Sequence, residues 1–117
     1  MSVRRYRIDH LPHAVLDMEE RMSWIVRTHG SPQGAADWRR HVDAAVLSLD
    51  TFPARREAEL PPPGRSLRPI YVLGVKSDFI VYEVFEELGV VRVIAVRSMV
   101  RRLMDVTDRL NFEPPDG

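Results

Sequence analysis

The chain has 117 residues, 44% hydrophobic and 29% charged, a size for one hydrophobic core and a balance that argues against a disordered or fibrous protein. Its 17 basic and 17 acidic side chains cancel overall and also locally, nine against nine over residues 1–60 and eight against eight over 61–117. This disfavours direct nucleic-acid binding through bulk phosphate contacts, which draws on a basic excess or a basic face. The absence of cysteine removes disulfides, thiolate nucleophiles and cysteine-ligated zinc. No apolar run approaches the roughly 18 residues of a membrane span, and the first residues lack a signal-like apolar stretch. A cytoplasmic domain with no membrane partner is expected.

In chain order, Val3–Ile8 alternates apolar and basic residues and reads as a short strand, broken by Asp9 to Pro12. Val15, Met18, Met22, Ile25 and Val26 then recur along one face of a helix. Gly30 suits the left-handed residue past its end. Ser31 and Pro32 are an N-cap and first-turn pair for a second helix. Its stripe is Ala35, Trp38, Val42, Ala45, Val46 and Leu49. Two amphipathic helices joined by about three residues turn back on each other as a helical hairpin. Residues 54–66, with three consecutive prolines, read as a stiff extended connector. Leu67–Val75, Phe79–Phe85 and Val90–Val96 follow as three strands separated by hairpin-length turns, an antiparallel meander. Pro69 predicts that the first of these strands lies at a sheet edge. Met99, Leu103, Val106 and Leu110 suggest a C-terminal helix, and 111–117 a frayed tail. The fold class is therefore α+β, β-α-α-β-β-β(-α), a helical hairpin packed on a small, mainly antiparallel sheet in a single domain spanning 1–117.

The meander is apolar on both sides. Phe79, Val81 and Phe85 alternate with Ile80, Tyr82 and Val84, and Val91, Val93 and Ala95 alternate with Val90, Ile94 and Val96. An antiparallel sheet with one wet face alternates apolar with polar. The hairpin covers one face, so the second needs a cover: the C-terminal helix, a second copy, or a partner's chain segment laid across it. Ile80, Tyr82, Val84, Ile94 and Val96 are the candidate residues for such a partner contact.

The order of elements and several clusters resemble the RelE/ParE toxin superfamily of bacterial type II toxin–antitoxin systems. The matching pieces are Trp38, Ala44-Ala45 and Leu49 leading into Thr51-Phe52-Pro53, then Gly64–Arg68 entering the second strand. Asp78–Val84 and Val93–Ser98 correspond to the strands that follow. The match covers about residues 4–104, and the order and spacing of the pieces carry it. The resemblance implies a toxin neutralised by a cognate antitoxin that wraps its apolar surface, with plasmid stabilisation and growth inhibition as the associated biology.

Within that family, RelE-like members are ribosome-dependent mRNA endonucleases and ParE-like members poison DNA gyrase. RNA cleavage by 2′-hydroxyl attack needs a proton acceptor, a proton donor and cations for the developing phosphorane charge. RelE-like members supply these from sheet lysines and arginines and a tyrosine near the C-terminus. Here Phe79 stands where the strand arginine is expected, Lys76 is the single lysine and sits in a turn, and no tyrosine follows Tyr82. The reading therefore leans to a non-enzymatic, ParE-like toxin with no catalytic residues, no cofactor and no metal, and with DNA gyrase as the candidate target. A RelE-like mRNA endonuclease and a non-toxic, self-associating relative are the alternatives. Candidate target contacts are Arg65, Arg68, Arg92, Arg97, Arg101 and Arg102, since guanidinium groups bind carboxylate or phosphate in bidentate fashion. The His10-x-x-His13 pair lacks a third ligand and reads as solvated, His41 as packed, and Trp24 and Trp38 as core or hairpin-packing residues.

Overall fold

Local signals and long-range pairing both shape the elements. The computed structural model describes residues 5–51, 53, 58–59, 70–98 and 115. Strand β1 (Arg7–His10) leads into helix α1 (Pro12–His29), helix α2 (Pro32–Leu47) and a 3-10 turn (Ser48–Asp50). A two-residue strand β2 (Ala58–Glu59) precedes the meander of β3 (Ile70–Val75), β4 (Asp78–Phe85) and β5 (Val90–Ser98). The sheet order is β1-β5-β4-β3-β2. Only β1 is parallel to its neighbour, Arg7 to His10 matching Val90 to Val93, while β2–β3, β3–β4 and β4–β5 are antiparallel.

The helical hairpin forms as its caps dictate. Gly30 stands at φ 61°, left-handed, and its N–H reaches the Val26 carbonyl at 2.8 Å. Ser31 Oγ accepts from Gly34 N at 2.8 Å, closing the first turn of α2 behind Pro32. The α2 stripe is the expected one, with Ala35, Trp38, Val42 and Val46 buried and Leu49 following in the 3-10 turn.

Helix α1 is rotated from expectation. Ala14, Asp17 and Met18 are buried, Met22 and Ile25 partly so, and Val15 and Val26 are exposed. The turn that brings Asp17 inward satisfies an unpaired strand amide, described below. Strand β1 is also displaced, because its parallel register with β5 recruits Asp9 and His10, which were expected to break it. Beside β3, Ala58 and Glu59 pair with Tyr71 and Ile70. The connector thus covers the start of a strand expected to lie wholly at an edge. The rest of the connector, Pro69, the C-terminal helix and, apart from Pro115, the tail lie outside the described residues.

A bulge in β5 decides which side chains meet the helices. Val81 pairs with Ala95 and Tyr82 with Val93, leaving Ile94 as the extra residue. Val91, Val93 and Val96 consequently join Ile80, Tyr82, Val84, Trp38 and Met18 in the helix-side core. Ile94 and Ala95 both fall on the other face, with Val81, Ile70 and Leu11. Simple alternation assigned Val93 and Ala95 to one face and Ile94 and Val96 to the other; the extra residue breaks that parity. The phenol of Tyr82 is stacked on Tyr71 at 5.5 Å and donates to the Pro53 carbonyl at 2.5 Å.

The far face is not bare. Val81, Ile94 and Ala95 have no exposed area, and Ile70 and Leu11 have almost none. The chain shields this part of the face itself, so of the three covers considered neither a second copy nor a partner is needed over Val81, Ile94 and Ala95. What stays open is its margin at Val72 and Phe79, both half-buried, and at Gly74, where an added Cβ would meet nothing within 4 Å.

Internal closure of the far face has a measurable consequence. Ile94→Ala lowers the unfolding free energy of the isolated chain by about 2–4 kcal/mol in urea titration. A loss below about 0.5 kcal/mol, the range of exposed surface substitutions, would show the face open to water.

Candidate functional site

Past His10 the chain leaves the sheet for α1, so β5 loses its β1 partner beyond Val93. A buried, unpaired strand amide costs about as much as a lost hydrogen bond with its desolvation, of order 1–3 kcal/mol. Asp17 meets that demand: its Oδ2 accepts from Val96 N at 3.1 Å. Its other oxygen lies 3.8 Å from the Arg97 guanidinium, and both side chains are nearly inaccessible, 6% and 5% exposed. A buried carboxylate is tolerable only with such partners.

Four residues on, and therefore on the same side of α1, Arg21 Nε stands 3.4 Å from Asp78 Oδ2. That oxygen also accepts from Trp38 Nε1 at 2.7 Å. The Arg21 guanidinium lies 4.3 Å from the Trp24 ring centroid, a cation–π distance. The cluster Asp17–Arg21–Trp38–Asp78–Arg97 thus binds both helices to the first residue of β4 and the penultimate residue of β5. Asp17 and Asp78 each accept through one oxygen, which makes the cluster a clamp, while Asp78 Oδ1 and Arg21 Nε are buried without a hydrogen bond.

A second charged group crosses the sheet. Asp9, Arg92 and Glu83 are register partners on β1, β5 and β4. Arg92 and Glu83 are buried, and the Arg92 guanidinium lies 5.3 Å from the Phe85 ring. Arg7 donates to both oxygens of Asp9 at 3.1 Å.

Of the six candidate arginines, the structure places Arg92 and Arg97 in buried, engaged positions, so neither forms an exposed target patch; the account of them as surface contacts is corrected accordingly. Arg65, Arg68, Arg101 and Arg102 lie outside the described residues. Of the five candidate partner-contact residues, Ile80, Tyr82, Val84 and Val96 are packed beneath the helices. Only Ile94 is on the far face, and it is fully buried. The bulge and the side from which the hairpin packs are the physical reasons. Among the described residues, the accessible apolar side chains of the far face are Val72 and Phe79.

His10 ends β1 and His13 is the second residue of α1. Among the described residues no group of three His, Cys, Asp or Glu could hold a metal ion. His41, expected to be packed, is exposed with Nδ1 2.7 Å from the Asp37 carbonyl; of the two tryptophans read as core or hairpin-packing, Trp38 is in the core and Trp24 is 40% exposed. Sequence reading missed Asp17, Arg21 and Asp78. The four-residue spacing of Asp17 and Arg21 was visible, but the unpaired amide that draws Asp17 inward belongs to a strand 79 residues away.

No family model and no curated protein matches the chain. Solved structures do. A chain of the RelBE2 toxin–antitoxin complex from Mycobacterium tuberculosis is similar at 17% identity and TM-score 0.55, covering 86% of this chain and 98% of that one. The RelE–RelB complex from Pyrococcus horikoshii gives 18% and 0.54, covering 84% and 99%. A mutant of the E. coli toxin RelE in the free state gives 16% and 0.53, covering 91% and 94%.

The chain has the fold of the RelE toxins. The α+β architecture implied by the sequence resemblance is therefore the observed one, and it extends over most of this chain and nearly all of each RelE-type chain. Among the described residues no helix is long and apolar enough to cross a membrane.

Two outcomes follow for the RelE-type scaffold here. Asp17→Ala, which strands both the Val96 amide and Arg97, costs about 3–5 kcal/mol of stability in chemical denaturation. Asp17→Asn keeps an oxygen for the amide and costs less. Separately, partial burial, and then Arg39, hold the His10 pKa below its ordinary 6.5, against the opposing pull of Asp43 and Asp9. The folded state thus prefers neutral His10, and its contribution is present above the unfolded pKa and lost as pH falls through it. His10→Gln flattens the decline of urea midpoint between about pH 7 and pH 5; an unchanged slope would contradict this.

Proposed function

We propose that this chain is the toxin component of a type II toxin–antitoxin module, acting in the cytoplasm by binding a protein target and held silent by a cognate antitoxin. One observation carries the reading: the RelE toxin fold over nearly the whole length of each solved relative, two of which are toxin–antitoxin complexes. The far-face margin at Val72, Gly74 and Phe79 supports an antitoxin contact, because it is the apolar part of the sheet that the chain leaves accessible. An apolar antitoxin side chain seated beside Gly74 would complete the burial of Phe79.

A protein target is favoured over RNA by what occupies the sheet. Phe79 stands where RelE-like nucleases carry a strand arginine, and Arg92 and Arg97 are buried beside acidic or aromatic partners. DNA gyrase is the candidate target, by the ParE-like side of the resemblance. A second reading, ribosome-dependent mRNA cleavage, is favoured by the solved relatives themselves, which are RelE proteins.

One experiment separates these readings. Induction of the chain alone in a bacterial host halts growth, and co-expression of the adjacent small reading frame restores it. A DNA-damage response with intact messages supports the gyrase reading; primer-extension stops on translated messages support the nuclease reading. Growth indistinguishable from the empty vector removes the toxin assignment. Phe79→Asp leaves the arrest in place and weakens rescue by the antitoxin at least tenfold in the inducer dose needed, about 1.4 kcal/mol of binding.

A further inference from the structure

The turn between β3 and β4 holds a strained residue. Val75 pairs with Asp78, which leaves Lys76 and Ser77 as a two-residue turn. Lys76 stands at φ 59°, the one positive φ outside glycine among the described residues; Gly30 and Gly89 take the other two such positions. A positive φ at the first central residue alone is the pattern of a type II′ turn, whose usual occupant there is glycine. A Cβ in this conformation crowds the backbone, and such strain persists only where the surroundings fix it. Here they do: Asp78, at the far side of the turn, is 2% exposed, accepts from Trp38 Nε1 and lies beside Arg21.

What the turn presents at this cost is an ammonium group. Lys76 is the single lysine of the chain. It is exposed, and among the described residues no carboxylate pairs with it. It also ends the accessible apolar strip, since Gly74 lies two residues before it, about 7 Å along the strand, and Phe79 three residues after. An extended segment that seats an apolar side chain beside Gly74 carries its next side chain on the same face to the turn, and a carboxylate there is the complementary group. A lysine suits that contact, being a compact point charge on a flexible stem. We infer that Lys76 is a specificity-determining contact for the antitoxin. It pairs with an acidic side chain two residues from the apolar one that covers Phe79. The inference rests on the toxin–antitoxin reading above and adds the charge of the partner segment to it.

Rescue of growth by the adjacent small reading frame, read together with the urea midpoint of each purified full chain, tests it. The inducer dose needed for rescue is taken relative to the dose at which each variant arrests growth. Lys76→Gly removes strain and charge together. Its urea midpoint rises above that of the unaltered chain, yet its rescue needs about fivefold more inducer, so unfolding does not explain the loss. Lys76→Arg keeps the charge and is rescued at the original dose. Lys76→Glu sets like charges together and needs at least tenfold more. Rescue of K76G and K76E at the original dose overturns the inference. So does K76R failing alongside them, or a K76G midpoint below that of the unaltered chain. Weaker arrest by K76E with its rescue dose unchanged assigns the ammonium to the target and overturns it as well. An unaltered chain that causes no arrest, or that its neighbour does not rescue, removes the toxin–antitoxin reading itself, and does so without any substitution.

Discussion

The hydrogen bond from the Val96 amide to Asp17 is the constraint on which the rest of the molecule depends. β1 is four residues long and can satisfy β5 only as far as Val93. Beyond that point the strand continues to Ser98 with its outer side turned toward α1. A side-chain oxygen at the right height on that helix takes over from the absent strand. In doing so it fixes the rotation of α1, buries Met18 and Ala14 rather than Val15, and brings Arg21 to Asp78 and Asp78 to Trp38. Asp17, which a hydropathy pattern assigns to solvent, locks α1 to β5, and Asp78 ties α2 and β4 to the same helix through Trp38 and Arg21.

Much of the architecture was legible because it is set by local chemistry. Ser31, Pro32 and Gly30 act within a turn of where they stand, and the α2 stripe is unambiguous. The hairpin turns also follow from the residues between the strands. What was not legible depends on partners distant in sequence. The bulge at Ile94 puts Ala95 with Ile94 on the far face and Val96 with Val93 beneath the helices, against a simple alternation, and no residue in Val90–Val96 announces it, since all the apolar choices there are suited to either face. The burial of Asp17 could not be read for the same reason: its partner amide is 79 residues away. The expected arginine site fared similarly, because Arg92 and Arg97 look like exposed strand-end cations until the register places Glu83 and Asp9 beside the first and Asp17 beside the second.

The two-sided apolar character of the meander has a divided explanation. One face is the ordinary core beneath the helical hairpin. The other is closed within the chain over Val81, Ile94 and Ala95 and open only at its margin. The chain thus folds around its own sheet while a strip of β3 and β4, at Val72, Gly74 and Phe79, stays accessible. The charged groups tie the helices to the sheet, and the accessible apolar margin lies apart from them on the far face.

Amide hydrogen exchange at Val96 tests the central claim most directly. In the native chain this amide exchanges only with global unfolding, as slowly as those of Val81 and Tyr82 in the strand interior. With Asp17→Ala its protection falls by about a hundredfold or more relative to those amides, the equivalent of about 3 kcal/mol. Unchanged relative protection at Val96 in that variant would contradict the account, since β5 would then be held by something other than Asp17.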